Sequence, residues 1–136
     1  MQQAGAIALK SPDSYYQNLA KSYREKRERL LKILSGAGFT VFKPRGAYYI
    51  MTDISGFDFN GGRSNSEKTT NDVAFAKFLV EKVGVAVVPG SSFYGNPADG
   101  SSQVRFTFCK KESTLAAAEE RLARLPERLS HFRAHA

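Results

Sequence analysis

Arg105 stands in the run Val104-Arg105-Phe106-Thr107-Phe108-Cys109, where apolar and polar residues alternate. In an extended chain successive side chains point to opposite faces. Val104, Phe106 and Phe108 can then build a core, while Arg105, Thr107 and Cys109 look the other way. A guanidinium is seldom buried without a partner, and its planar fork matches a carboxylate with two parallel hydrogen bonds. Upstream, Pro89, Gly90, Ser91, Ser92, Phe93 and Tyr94 make a loop with a fixed proline φ, small residues for close backbone approach and two aromatic walls. Alternation alone puts Arg105 on a solvated sheet face. The aromatic loop beside it shifts the reading towards a guanidinium that holds a carboxylate bidentately.

The segment GVAVVPGSSFYG, followed by VRFTFCKKESTLAAAEERLARL, resembles the end of a class I/II pyridoxal-phosphate-dependent aminotransferase of fold type I. The FY after PGSS, the FCKKE ending and the upstream GAYYIMTDISGF are most similar to kynurenine aminotransferases, also called glutamine transaminase K or cysteine-conjugate β-lyases, and to methionine aminotransferases. The resemblance implies that Arg105 holds the substrate α-carboxylate. It implies that Tyr48, Phe93 and Tyr94 line the same substrate site, although packing is the plainer use of any single tyrosine. Residues 1–35 would be the end of a large domain and an interdomain helix, and residues 36–136 the C-terminal small domain. The partners implied are amino-acid and 2-oxo-acid substrates, the large domain, and a second subunit in a homodimer.

Such an enzyme needs a lysine to form the Schiff base, an acid against the pyridinium nitrogen and a cradle for the phosphate. The resemblance puts all three in the large domain, together with the pyridoxal phosphate they bind. Lys110 and Lys111 belong to the FCKKE ending, and Lys77 and Lys82 to a helix. This chain is therefore expected to bind substrate and close the site, with no catalytic or cofactor-binding residue of its own.

With 136 residues and 42% apolar content the chain suffices for one domain with a core, and is short for a whole enzyme of this family. A fragment is expected. The net charge of +7 attracts anions without choosing among them. A single cysteine, Cys109, excludes an intrachain disulfide framework and fits a reducing compartment. No apolar run has the length of a membrane span, and MQQAGAIALK lacks the pattern of a secretory signal. Cytoplasmic localisation without a membrane partner is the expectation.

The elements that must position Arg105 can be placed in order. Residues 1–10 are compatible with the tail of a helix. Ser11, Pro12 and Asp13 look like a start of helix, with Ser11 as cap and Pro12 in the first turn. Tyr16, Leu19, Tyr23, Leu30 and Leu34 then share one side until Gly36 and Gly38, giving a helix about 36 Å long at 1.5 Å per residue. Its basic face should be balanced by Glu25 with Arg29 and Glu28 with Lys32 at four-residue spacing.

Residues 39–43 and 47–53 are expected strands, the second covered on both faces. The polar interval 54–71 is long enough for a surface loop or a flap; its Gly61-Gly62 carries no phosphate-binding signature. Thr70 or Asn71 caps a helix with Phe75, Phe78, Leu79 and Val83 buried, ended by Gly84. A short apolar strand precedes the Pro89 loop. Ser113 caps a last helix with Leu115, Ala118, Leu122 and Leu125 inward, which Pro126 ends or kinks. His131 and His135 are too few for a metal site, so none is expected.

The fold expected is an α+β, two-layer domain: helices on one face of a mostly antiparallel sheet, preceded by a long interdomain helix. The alternative is a free-standing basic α+β module that holds an anionic partner such as nucleic acid. No recognised nucleic-acid motif accompanies the basic helix. Nucleic acid is accordingly left out of the expected partners.

Overall fold

The structure, a computed structural model, describes residues 2–57, 59 and 69–129. A short helix α1 (Gln2–Leu9), all of it exposed, leads into the 24-residue α2 (Asp13–Gly36). The start of α2 differs from the expectation. Pro12 occupies the cap position and no side chain caps the helix; the Ser11 hydroxyl donates back to the Ile7 carbonyl instead. Proline is tolerated there because it lacks the N–H that would otherwise go unpaired. Only the C-terminal half of α2 is buried, through Leu30, Leu31, Ile33 and Leu34. Tyr16 and Leu19, expected inside, are each 42% exposed.

Among the described residues four strands form one antiparallel sheet: β1 (Thr40–Phe42), β2 (Tyr49–Asp53), β3 (Val88–Pro89) and β4 (Gln103–Thr107), in the order β1-β2-β4-β3. The mostly antiparallel two-layer α+β fold is thus observed. Ile50, Thr52, Val104 and Phe106 turn inward from the two central strands. They meet Leu30 and Leu34 of α2, and Phe75 and Leu79 from the helix α3 (Asn71–Phe78) and the π-helical turn Leu79–Val83 that extends it. Gly84 ends this turn at φ +76°, a conformation glycine adopts without a Cβ penalty. The last helices among the described residues are α4 (Glu112–Leu122) and α5 (Leu125–Leu129). Pro126 sits in the first turn of α5, after the break at Ala123 and Arg124, so it starts a helix more than it kinks one.

Several local expectations are corrected. The apolar strand before Pro89 is only two residues long, pairing Val88 with Arg105 and Pro89 with Val104. The Val85 N–H is taken by the Leu79 carbonyl, and Pro89 has no N–H to offer. Ser113 lies within α4, and Lys111 is at the cap position without a side-chain bond. Thr70 is the cap of α3, also without one; the Asn71 side chain instead accepts from Phe59 N–H and donates to the Phe57 carbonyl, both at 2.8 Å. On α2, Arg29 reaches across to Glu112 and Glu119 of α4 at 3.0 and 2.9 Å, while Glu28 pairs with Arg27 and Lys43. Apart from Arg27–Glu28, which are adjacent on α2, these are cross-element pairs, and they replace the four-residue spacing expected on the helix.

The interval 54–71 begins inside the core. Ile54 is fully buried, and Phe57 and Phe59 pack on Phe75 with ring centroids 6.3 and 5.0 Å apart. Its Gly61-Gly62, like His131 and His135, lies outside the described residues.

Gly90 and Gly100 lie back to back at the two ends of the β3–β4 loop. A Cβ on Gly90 would stand 2.4 Å from the Gly100 carbonyl oxygen, and one on Gly100 would stand 2.5 Å from the Gly90 carbonyl carbon. Both obstacles are backbone, which yields little. Gly90→Ala and Gly100→Ala are each expected to destabilise by about 1–3 kcal/mol. Gly46→Ala, in open space, should stay within about 0.5 kcal/mol of the parent. Urea midpoints compare the three, and equal midpoints would contradict the close packing.

Candidate functional site

Arg105 projects from the middle of β4, with Met51 of β2 on one side and Val88 of β3 on the other. It is half-buried. Its guanidinium carbon lies 4.4 Å from the centre of the Phe93 ring and 5.1 Å from that of Tyr49. A guanidinium over an aromatic face gains about 0.5–1 kcal/mol when exposed and more when desolvated. The two rings thus flank the guanidinium. Among the described residues the guanidinium forms no hydrogen bond or ion pair. Up to five donors therefore remain for an anion.

The other expected site residues divide. Phe93 touches Arg105 directly. Tyr48 stands one ring away: it is 49% exposed and packs edge-on against Tyr49 with centroids 5.5 Å apart. Its carbonyl accepts from Phe108 N–H and from the Thr107 hydroxyl. Tyr94 turns to Gln103, donating its hydroxyl to Oε1 at 3.0 Å, two residues along the strand from Arg105. Tyr49 is the contact that sequence reasoning missed. The signal was parity, because Tyr49 pairs with Thr107 and Met51 with Arg105, putting Tyr49 on the guanidinium's face. The alternation of β2 is complete in the structure, with Ile50 and Thr52 inward and Tyr49, Met51 and Asp53 half-covered.

The loop that carries Phe93 is anchored from below. Asp72, in the first turn of α3, is fully buried, and its Oδ2 accepts from the Ser91 N–H at 2.8 Å. Its own N–H donates to the Ser101 carbonyl at 3.1 Å, so one residue holds both ends of the loop. Oδ1 has no hydrogen bond of full geometry. Burial pushes the carboxyl up, but the Ser91 and Thr70 hydroxyls and the Ser91 and Val73 N–H groups outweigh it and hold the net value below the usual one. Asp72 was not singled out by its sequence context, since an acid near the start of a helix is ordinarily exposed.

Among the described residues no group of three His, Cys, Asp or Glu side chains could hold a metal. Among the described residues the arrangement does not fit pyridoxal phosphate either. Lys77, Lys82, Lys110 and Lys111 are all exposed, and the buried acid, Asp72, is committed to the loop.

Comparisons with known proteins place the chain in a family. The family described as aminotransferase class I and II matches residues 1–122. The kynurenine–oxoglutarate transaminase of Dictyostelium discoideum is 36% identical over 134 residues, covering 91% of this chain and 31% of that protein. The methionine aminotransferase of Escherichia coli is 34% identical, over 91% of this chain and 29% of its own. Among solved structures, the N-succinyldiaminopimelate aminotransferase of Mycobacterium tuberculosis superposes with a TM-score of 0.75 at 36% identity, over 91% of this chain and 30% of that one. The chain spans about a third of the length of the curated relatives it matches.

The Asp72 anchor has a pH signature. Its folded pKa lies below the ordinary value of 3.8, so its contribution is fully present above the unfolded pKa and is lost as pH falls through the folded one. Asp72→Ala leaves the Ser91 N–H without its partner and should cost about 1–3 kcal/mol. The stability gap between the parent and Asp72→Asn should shrink between about pH 6 and about pH 3. Urea unfolding at both pH values measures it; a constant gap would contradict the charged anchor.

Proposed function

The chain belongs to the class I and II aminotransferase family, and from that premise we propose that it is the C-terminal small domain of a pyridoxal-phosphate-dependent aminotransferase of the kynurenine or methionine kind. In this reading residues 1–35 are the end of the large domain and the interdomain helix, and residues 36–136 the small domain. The complete enzyme moves an amino group from an amino acid to a 2-oxo acid, as a homodimer in the cytoplasm. Pyridoxal phosphate, seated on the rest of the enzyme, would supply an electron sink for the bonds at the substrate α-carbon.

The role of this chain is to grip and enclose. Arg105 takes the α-carboxylate shared by every amino-acid and oxo-acid substrate, through a bidentate charge-assisted contact. Tyr49 and Phe93 hold the fork in plane, and Tyr48 and Tyr94 widen the aromatic wall that excludes water. The domain swings with α2 to close the site. The observation that carries this reading is the Arg105 guanidinium, stacked against two rings with its donors unused.

Neither nucleic acid nor a membrane is among the proposed partners. Arg29 is engaged with Glu112 and Glu119, and Arg27 with Glu28, which reduces the free charge on the basic helix. No helix among the described residues is long and apolar enough to cross a membrane.

In the complete enzyme, Arg105→Ala is expected to leave cofactor binding intact and to lower catalytic efficiency in both half-reactions. The loss should be on the order of 2–5 kcal/mol, tens to thousands of fold. Arg105→Lys should recover only part, because an ammonium keeps the charge and lacks the planar fork. Single-turnover rates with an amino acid and with the matching amine, which has no carboxylate, separate binding from structure. Selective loss with the amino acid is expected; equal loss with both would make Arg105 structural.

A further inference from the structure

A second concentration of positive charge lies where α2 passes the turn between β1 and β2. Tyr23, Arg24 and Arg27 of α2, Arg45 and Gly46 of the turn, and Phe108 just after β4 line a hollow of about 240 Å³. The three arginines are not in the same state. Arg27 is engaged, donating to Glu28 at 2.7 Å and to the Pro44 carbonyl at 3.2 Å, which ties the turn to the helix. Hydrogen bonds from Arg27 and Lys43 hold the Glu28 carboxyl below the ordinary range, so it stays ionised beside Arg27. Arg24 and Arg45 form no hydrogen bond or ion pair with any described residue.

Two uncompensated guanidinium groups around one hollow repel each other, and an anion seated between them removes the repulsion. Their joint charge matches a dianion better than a monoanion. Guanidinium forks suit tetrahedral phosphate oxygens, which accept paired N–H bonds. The remaining wall is the partly buried Tyr23 ring, backed by the buried Phe108. Tyr23 and Phe108 meet edge to face with centroids 6.1 Å apart, and Lys26 adds a further positive charge 6.0 Å from the Tyr23 ring. An inorganic ion would leave that wall unused, whereas a phosphate bearing a small flat apolar group would cover it.

We propose that this hollow binds a small phosphate monoester, its dianionic head between Arg24 and Arg45 and its apolar body against the Tyr23 ring. The site differs from the Arg105 cluster in charge and in ligand. Arg105 offers one cation to a monocarboxylate, and this hollow offers two to a dianion. The proposal stands on the hollow alone and does not depend on the role assigned to Arg105.

Amide chemical shifts of the chain, titrated at about 0.1 M salt with phenyl phosphate, inorganic phosphate and benzoate, test it. Phenyl phosphate should bind tightest, benzoate weakest, and the shifts should centre on Gly46 and Ala47. The double variant Arg24→Gln, Arg45→Gln removes two exposed side chains without partners, so its spectrum should keep the dispersion of a folded chain. It should lose at least about tenfold in affinity for phenyl phosphate. Arg105→Gln should leave that affinity unchanged. Shifts centred on Arg105, an unaltered affinity in the double variant, or equal binding of benzoate and phenyl phosphate would each overturn the proposal.

Discussion

Asp72 is withdrawn from water at the start of α3, and a carboxylate there is tolerable only where donors meet it. The Ser91 N–H is one such donor, and it belongs to the turn that presents Phe93. The Asp72 N–H meets the Ser101 carbonyl at the far end of the same loop, and Gly90 and Gly100 close the gap between those ends to backbone contact. Loop position, ring position and guanidinium orientation thus form one chain of dependence. Moving Asp72 off its donors would release Phe93 from Arg105 without touching either residue. A neutral acceptor would keep the connection and lose the charge assistance.

Helix α2 divides the chain's surface in the same way that it divides its length. Its C-terminal half closes the core through Leu30 and Leu34, while Tyr15, Tyr16 and Leu19 remain on the surface with Ile7 and Leu9 of α1. The Tyr16 hydroxyl donates to the Ala8 carbonyl and joins the two helices. An exposed apolar surface of this kind is usual where a further part of a protein packs. The matched relatives are about three times as long as this chain.

Much of this was legible in the sequence. The alternation around Arg105 placed Val104 and Phe106 in the core and the guanidinium on the opposite face. The glycine and proline signals located the ends of α2, the helix end at Gly84 and the loop after Pro89, though not the π-helical form of the turn before Gly84. Cap chemistry was less legible, since Ser11, Thr70 and Ser113 have capping side chains but none caps its helix. Local hydroxyls compete with other acceptors, and the final geometry decides between them. Long-range charge pairs were invisible for a related reason. Arg29 could not be assigned to Glu112 and Glu119 before α4 had been laid against α2. The partnership of Tyr49 with Arg105 required the strand register, which the apolar run from Tyr48 to Met51 obscured.

The central claim is that two rings hold the Arg105 guanidinium still while its donors, unpaired among the described residues, remain for a carboxylate. Nitrogen relaxation of the Arg105 Nε–H group measures this directly, before and after addition of a 2-oxo acid, with the corresponding ketone as control. The account predicts an order parameter approaching that of rigid backbone, about 0.85. It also predicts a shift of this resonance with the oxo acid and none with the ketone. An order parameter below about 0.6, or equal responses to the acid and the ketone, would contradict it.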